Sequence, residues 1–142
     1  MEKQNNYLVL QKLVFDEIQF KREGFKNKNK IEYSVNVQIG VSKDDEHEYR
    51  VTLMLVGDKK DEYKIQITLL GFFKVENIET NSSMANDLIN KNAVAIMWPY
   101  MRSQLTLLTS QPEMDCVVMP IVNMDNVLTP ENRTESQDTK TE

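Results

Sequence analysis

Residues 92–110, NAVAIMWPYMRSQLTLLTS, are the only long run with helical spacing in this chain, and the segments before them read as β-sheet. Asn92 can accept a backbone N–H and reads as the N-cap. Met97, Tyr100, Met101, Gln104, Leu105 and Leu108 recur three and four apart, which predicts one apolar stripe. Pro99 falls inside the run. It has no N–H and its ring crowds the carbonyl four residues back, so the spacing predicts a kink near residues 94–98. One kinked helix following a sheet has to cover that sheet or a second copy of it.

The strands are legible in order. Residues 8–20 alternate in pairs (Leu8 and Leu10, Leu13 and Phe15, Ile18 and Phe20), and the offsets between pairs predict bulges in a single strand. Residues 21–30, KREGFKNKNK, form a basic loop. Residues 33–41 alternate cleanly, with Tyr33, Val35, Val37, Ile39 and Val41 on one side. Residues 49–56 form a third strand, and 57–61, GDKKD, a hairpin turn. Residues 63–75 form a fourth, in which Gly71 breaks the period as a bulge would. Short connections between consecutive strands predict an antiparallel meander. Ser83 reads as the cap of a short helix over 84–89, and residues 122–128 read as one or two helical turns limited by Pro130. Residues 1–128 thus read as one domain, and the polar residues 129–142 as a disordered tail.

Composition excludes several functions. A net charge of -5 and a pI near 5.0 argue against a surface that tracks nucleic-acid phosphates. No apolar run is long enough for membrane insertion, and residues 1–7 lack the layout of a signal peptide. A single cysteine, Cys116, excludes an internal disulfide and suits a reducing cytoplasm. Cys116 lies in an apolar run and reads as a small buried hydrophobe. The lone His47 sits in a charged turn without a Ser or Cys partner, and no ligand cluster has metal spacing, so neither an enzyme nor a cofactor is expected. Eight methionines are unusual; they read as core filler or as an adaptable apolar surface.

The order of elements and three motifs resemble the SecB protein-export chaperones. Gly71-Phe72-Phe73 with Ile78-Glu79 resembles the end of that family's fourth strand and the following loop. Trp98-Pro99-Tyr100 with Arg102 resembles its aromatic-Pro-Tyr-x-Arg signature. Pro120-Ile121-Val122-Asn123 with Asp125 resembles its Pro-Val-Asn-aromatic-Asp segment. The resemblance covers residues 8–128. It implies an α+β fold: a four-stranded antiparallel sheet, a crossover, one long kinked helix and a short C-terminal helix. It also implies a cytoplasmic homotetramer, a dimer of dimers, that holds unfolded or precursor polypeptides without ATP.

By the same resemblance, Val35, Val37 and Ile39, with Val127 and Leu128, match the client-binding groove, although the three strand residues also suit a plain core; the family's groove aromatic falls where this chain has Ile31, and Tyr33, two residues later, is taken for it. Ile65, Ile67 and Leu69 match positions that affect association of the dimers; their apolar character on an outward face would predict an oligomer. Contacts with the translocase motor SecA would fall on Glu17, Lys21, Lys64 and Gln66. Only Glu17 keeps the family's acid there, which argues against motor binding. Two alternatives stand beside a general export chaperone: a SecB-like chaperone dedicated to one client such as an antitoxin, and a small-ligand-binding domain.

Overall fold

The computed structural model describes residues 7–76, 89–119 and 133–141. Four long strands appear: β1 (Tyr7–Arg22), β2 (Ile31–Ser42), β3 (Glu48–Lys59) and β4 (Tyr63–Glu76). They pair antiparallel throughout, and the order across the sheet is β1-β4-β3-β2. The meander therefore runs from β2 to β4, while β1 is added beyond β4.

The β1–β2 loop reaches across because it is stitched to the β3–β4 turn. The backbone N–H groups of Glu23 and Gly24 donate to the Glu62 carbonyl at 2.7 and 3.1 Å. Asn27 and Asn29 donate their side-chain amides to the Lys60 carbonyl, each at 2.9 Å. Gly24 passes so close that a Cβ on it would lie 2.1 Å from the Asp61 carbonyl oxygen. The turn is tighter and later than expected. Gly57 and Asp58 remain in β3, Lys59 pairs with Tyr63, and Asp61 takes φ 64°. Aspartate tolerates that left-handed conformation better than most residues.

The paired alternation of β1 is kept by two bulges. Register shifts fall between Leu10 and Lys12 and between Phe15 and Glu17. Gln11 and Asp16 are the extra residues, so all three apolar pairs face the same side as Ile65, Ile67, Leu69 and Phe73. Gly71, by contrast, is not a bulge. It pairs in unbroken register with Val51 and Leu13. A Cβ there would sit 2.6 Å from the Phe73 ring and 2.8 Å from Met97 Sδ, so the glycine makes room for the helix.

That helix, α1 (Val94–Leu108), follows one π-helical turn, Ile89–Ala93. Asn92 is therefore inside a helical backbone and is not the N-cap. Ala93 precedes α1 with helical φ and ψ and without a side-chain cap. The buried stripe is Val94, Met97, Trp98, Met101 and Leu105. Tyr100 is exposed, and Gln104 and Leu108 are half-buried, because the face turns toward Trp98 rather than away from it. Pro99 lies within α1 on its exposed side. Four methionines, Met97, Met101, Met114 and Met119, are buried, as core filler would be.

Cys116 is exposed, 3.2 Å from the Ser110 hydroxyl, because the chain after α1 runs along the surface of the helix. The polar tail, expected to be disordered, contains a strand, β5 (Arg133–Thr141), which lies parallel to the outer edge of β2. An edge strand offers unpaired N–H and C=O groups to any extended backbone, so composition gave no hint of it. Of the expected helix over 84–89 only Ile89 is described, where it opens the π-helical turn; the rest of it, the expected helix over 122–128, and the motifs at Ile78-Glu79 and 120–125 lie outside the described residues.

Candidate functional site

The pleat divides the sheet into an inner face under α1 and an outer face. Inner residues form cross-strand rows: Val35–Leu55–Ile67–Ile18, then Val37–Leu53–Leu69–Phe15. Burial changes along β2. Val37 is 0 % exposed and Val35 7 %, while Tyr33 is 44 % exposed. Ile39, toward the other end, is half-buried. Of the residues matched to a groove, Val35 and Val37 are thus core in this chain, and Tyr33 opens the stripe to solvent. Val127 and Leu128 lie outside the described residues.

Ile65, Ile67 and Leu69 were expected to face outward. They face inward and are 1 %, 0 % and 0 % exposed, so they belong to the core of the chain itself. The parity of β4 decides this: they share their face with Tyr63, Phe73 and the glycine against Met97.

Glu17, Lys21, Lys64 and Gln66 do come together, on the outer face. Lys21 stands directly opposite Lys64 across β1 and β4. Lys64 Nζ lies 3.9 Å from a Glu23 carboxylate oxygen. Glu17 accepts hydrogen bonds from both neighbouring amides, Gln19 and Gln66, the latter at 3.2 Å. Its acceptor oxygens are thus partly engaged.

One end of the sheet carries a polar clasp that sequence reading missed. Glu62 is 0 % exposed. Its Oε1 meets Lys59 Nζ at 2.9 Å and accepts the Asn27 backbone N–H at 2.9 Å. Burial alone would raise the pKa of Glu62, but the Lys59 ammonium and the Asn27 N–H outweigh it and hold the carboxyl below its ordinary value. The i, i+3 spacing of Lys59 and Glu62 carries its signal, but residues 57–61 read only as a hairpin turn and Glu62 falls just outside it. Arg102, in the sequence a member of the Trp98-Pro99-Tyr100 motif, also has a definite task. Its Nε donates to the Met119 carbonyl at 3.0 Å, while Thr106 donates to the Val117 carbonyl and Val117 N–H donates to Thr109, each at 2.8 Å. These bonds lay the chain leaving α1 back along the helix.

A cavity of 380 Å³ lies on the exposed side of α1, lined by residues including Pro99, Arg102 and Leu107. Among the described residues, no three His, Cys, Asp or Glu side chains come together to hold a metal ion, and no helix is long and apolar enough to cross a membrane.

The family model described as Preprotein translocase subunit SecB matches residues 4–135. The chain belongs to the SecB family. Its membership supports a chaperone role connected with export. Among solved structures, the SecB-like fold of α1 against a four-stranded sheet is shared with a Mycobacterium tuberculosis SecB-like chaperone solved in complex with a ChAD peptide from an antitoxin. That match has a TM-score of 0.67 and 10% identity over 82% of this chain and 91% of the other. A protein of unknown function from Streptococcus agalactiae matches with a TM-score of 0.50 and 12% identity over 82% of this chain and 99% of the other. No curated protein matches the sequence.

Proposed function

We propose that this SecB-family chain is a holdase: it keeps non-native polypeptides from aggregating, without ATP, as a cytoplasmic homotetramer. One observation carries the reading. On β2, beside the sheet edge, an apolar stripe grades from sealed Val37 to Tyr33 at 44 % exposure. An unfolded chain exposes apolar side chains and unpaired backbone groups together, and β2 suits both, with its apolar flank and an outer edge that β5 pairs only from Val37 to Ser42. A small-ligand domain is less well supported, since Met97 fills the space over Gly71 and the 380 Å³ cavity lies on the far side of α1. The test is aggregation of a chemically unfolded model protein with and without this chain, in the absence of nucleotide. Suppression at stoichiometric ratio is expected; none at any ratio refutes a general holdase.

A second reading, a chaperone dedicated to one client, draws on the outer face. Lys21 opposite Lys64 replaces the character that the resemblance expects for docking a cationic motor tail. The fold likeness to a SecB-like chaperone holding an antitoxin peptide is compatible with it. Protection of a single client encoded next door, with no protection of unrelated proteins, would decide for this reading.

A further inference from the structure

The outer edge of β2 is already held, from Val37 to Ser42, by the chain's own β5. The pairing is of a weak kind. It is parallel, which is slightly less stable per residue than antiparallel. Its register is broken: Glu135 stands opposite Ile39 and Lys140 opposite Val41, so Glu135 to Lys140 spans only two steps of β2. The β5 sequence, RTESQDTKT, has no aliphatic or aromatic side chain, so it brings backbone pairing without apolar burial. An extended segment with apolar side chains at alternate positions would form the same ladder and also bury them along the stripe that ends at Tyr33.

Resting on the chaperone reading above, in which β2 borders the client site, we propose that residues 133–141 occupy the outer edge of β2 as an exchangeable internal strap, which an extended apolar segment of a non-native polypeptide displaces. Tethering keeps the strap at high effective concentration, so weak pairing suffices to hold it. While in place it shields an edge that would otherwise pair with other chains. A client displaces it by adding side-chain burial that the strap cannot match.

The test compares three proteins: the full chain, the full-length variant Thr134→Pro/Thr141→Pro, and a chain ending at Asn132. Proline removes ladder N–H groups while keeping the tail attached. The probe is a reduced, carboxymethylated and fluorescently labelled model protein, which stays unfolded, titrated by anisotropy without nucleotide. If the strap holds the edge about nine-tenths of the time, both altered proteins bind the probe roughly tenfold tighter than the full chain. Hydrogen exchange locates the effect: edge amides within residues 37–42 exchange faster when the strap is lost and regain protection when the probe binds. Binding by the full chain with no gain in either altered protein overturns the strap and leaves the chaperone reading intact. Tighter binding without renewed protection on β2 overturns the edge as the site. Failure of all three proteins to bind the probe overturns the chaperone reading and this proposal with it.

Discussion

Glu62 joins the β1–β2 loop to the β3–β4 turn through both its side chain and its backbone. Its carboxylate is fully buried against Lys59, and its backbone carbonyl receives the loop that carries β1 across the sheet. Breaking a buried ion pair from one side leaves the other charge stranded, at a cost of about 3–5 kcal/mol. Glu62→Gln should therefore lower stability by about 3 kcal/mol at neutral pH, measured by urea unfolding. The pH dependence has a definite sign. The folded-state pKa is held below the ordinary glutamate value of 4.5, so the contribution is complete above that value and is lost as pH falls through the folded one. The gap between the two proteins should thus close in acid; a gap constant down to pH ~3 would mean that charge is irrelevant there. Gly71 tests packing instead. Gly71→Ala forces a methyl against Phe73 and Met97 and should cost about 1–3 kcal/mol. Met97→Ala should cost less in that background than in the unmodified chain, because it removes the atom in conflict; simple additivity would refute the close contact.

At the scale of elements, the alternating side chains were the legible part. Leu8, Leu10, Leu13, Phe15, Ile18 and Phe20 carry both bulges of β1 in their spacing, since an edge strand with one buried face must skip a residue whenever its pairs fall out of phase. Helix spacing gave α1 but misplaced its stripe. Trp98 belongs to the buried stripe, and Tyr100, which the spacing places there, is exposed. Which partner strand a segment chooses was not legible, because β1 could satisfy its ladder beside β2 or β4. The glycine at 71 read as a defect for a related reason: the atom that requires it, Met97 Sδ, arrives from another element. The same limit affects the site. Sequence parity places Tyr33, Val35 and Val37 on one face but cannot say where that face stops being core. Val37→Asp should unfold the protein, as it buries a carboxylate without a partner. Tyr33→Asp should leave the fold intact and weaken suppression of aggregation. Circular dichroism with the aggregation assay separates them, and a folded, fully active Tyr33→Asp would remove Tyr33 from the site.

For the whole molecule, the apolar surface open to a second copy lies on the exposed side of α1 rather than on β4. Ile65, Ile67 and Leu69 are occupied by the chain's own core, whereas Leu107 is 67 % exposed and Tyr100 48 %. A tetramer is expected in light scattering, and Leu107→Glu should lower its mass without unfolding it; a monomer at micromolar concentration would refute the assembly. Docking of the translocase motor is expected to fail for an electrostatic reason. The resemblance implies docking through a basic, zinc-bearing tail of the motor, and complementary charge supplies steering and register for such a partner. Here Lys21 and Lys64 face one another across β1 and β4, and Glu17 is engaged by Gln19 and Gln66. Like charges across an interface can cost several kcal/mol, so weak or absent binding is expected. The geometry also selects the rescue. Gln66→Glu would place a second carboxylate beside Glu17, where Gln66 now donates at 3.2 Å, so it should add little. Lys21→Glu with Lys64→Leu removes both cations and restores one acid and one apolar contact. That pair should bind roughly tenfold tighter than the unmodified chain at low salt, with the gain shrinking as salt screens it. Calorimetric titration with the zinc-loaded tail peptide measures this. Micromolar binding by the unmodified chain would mean that docking uses another surface, and would favour general export over a dedicated client.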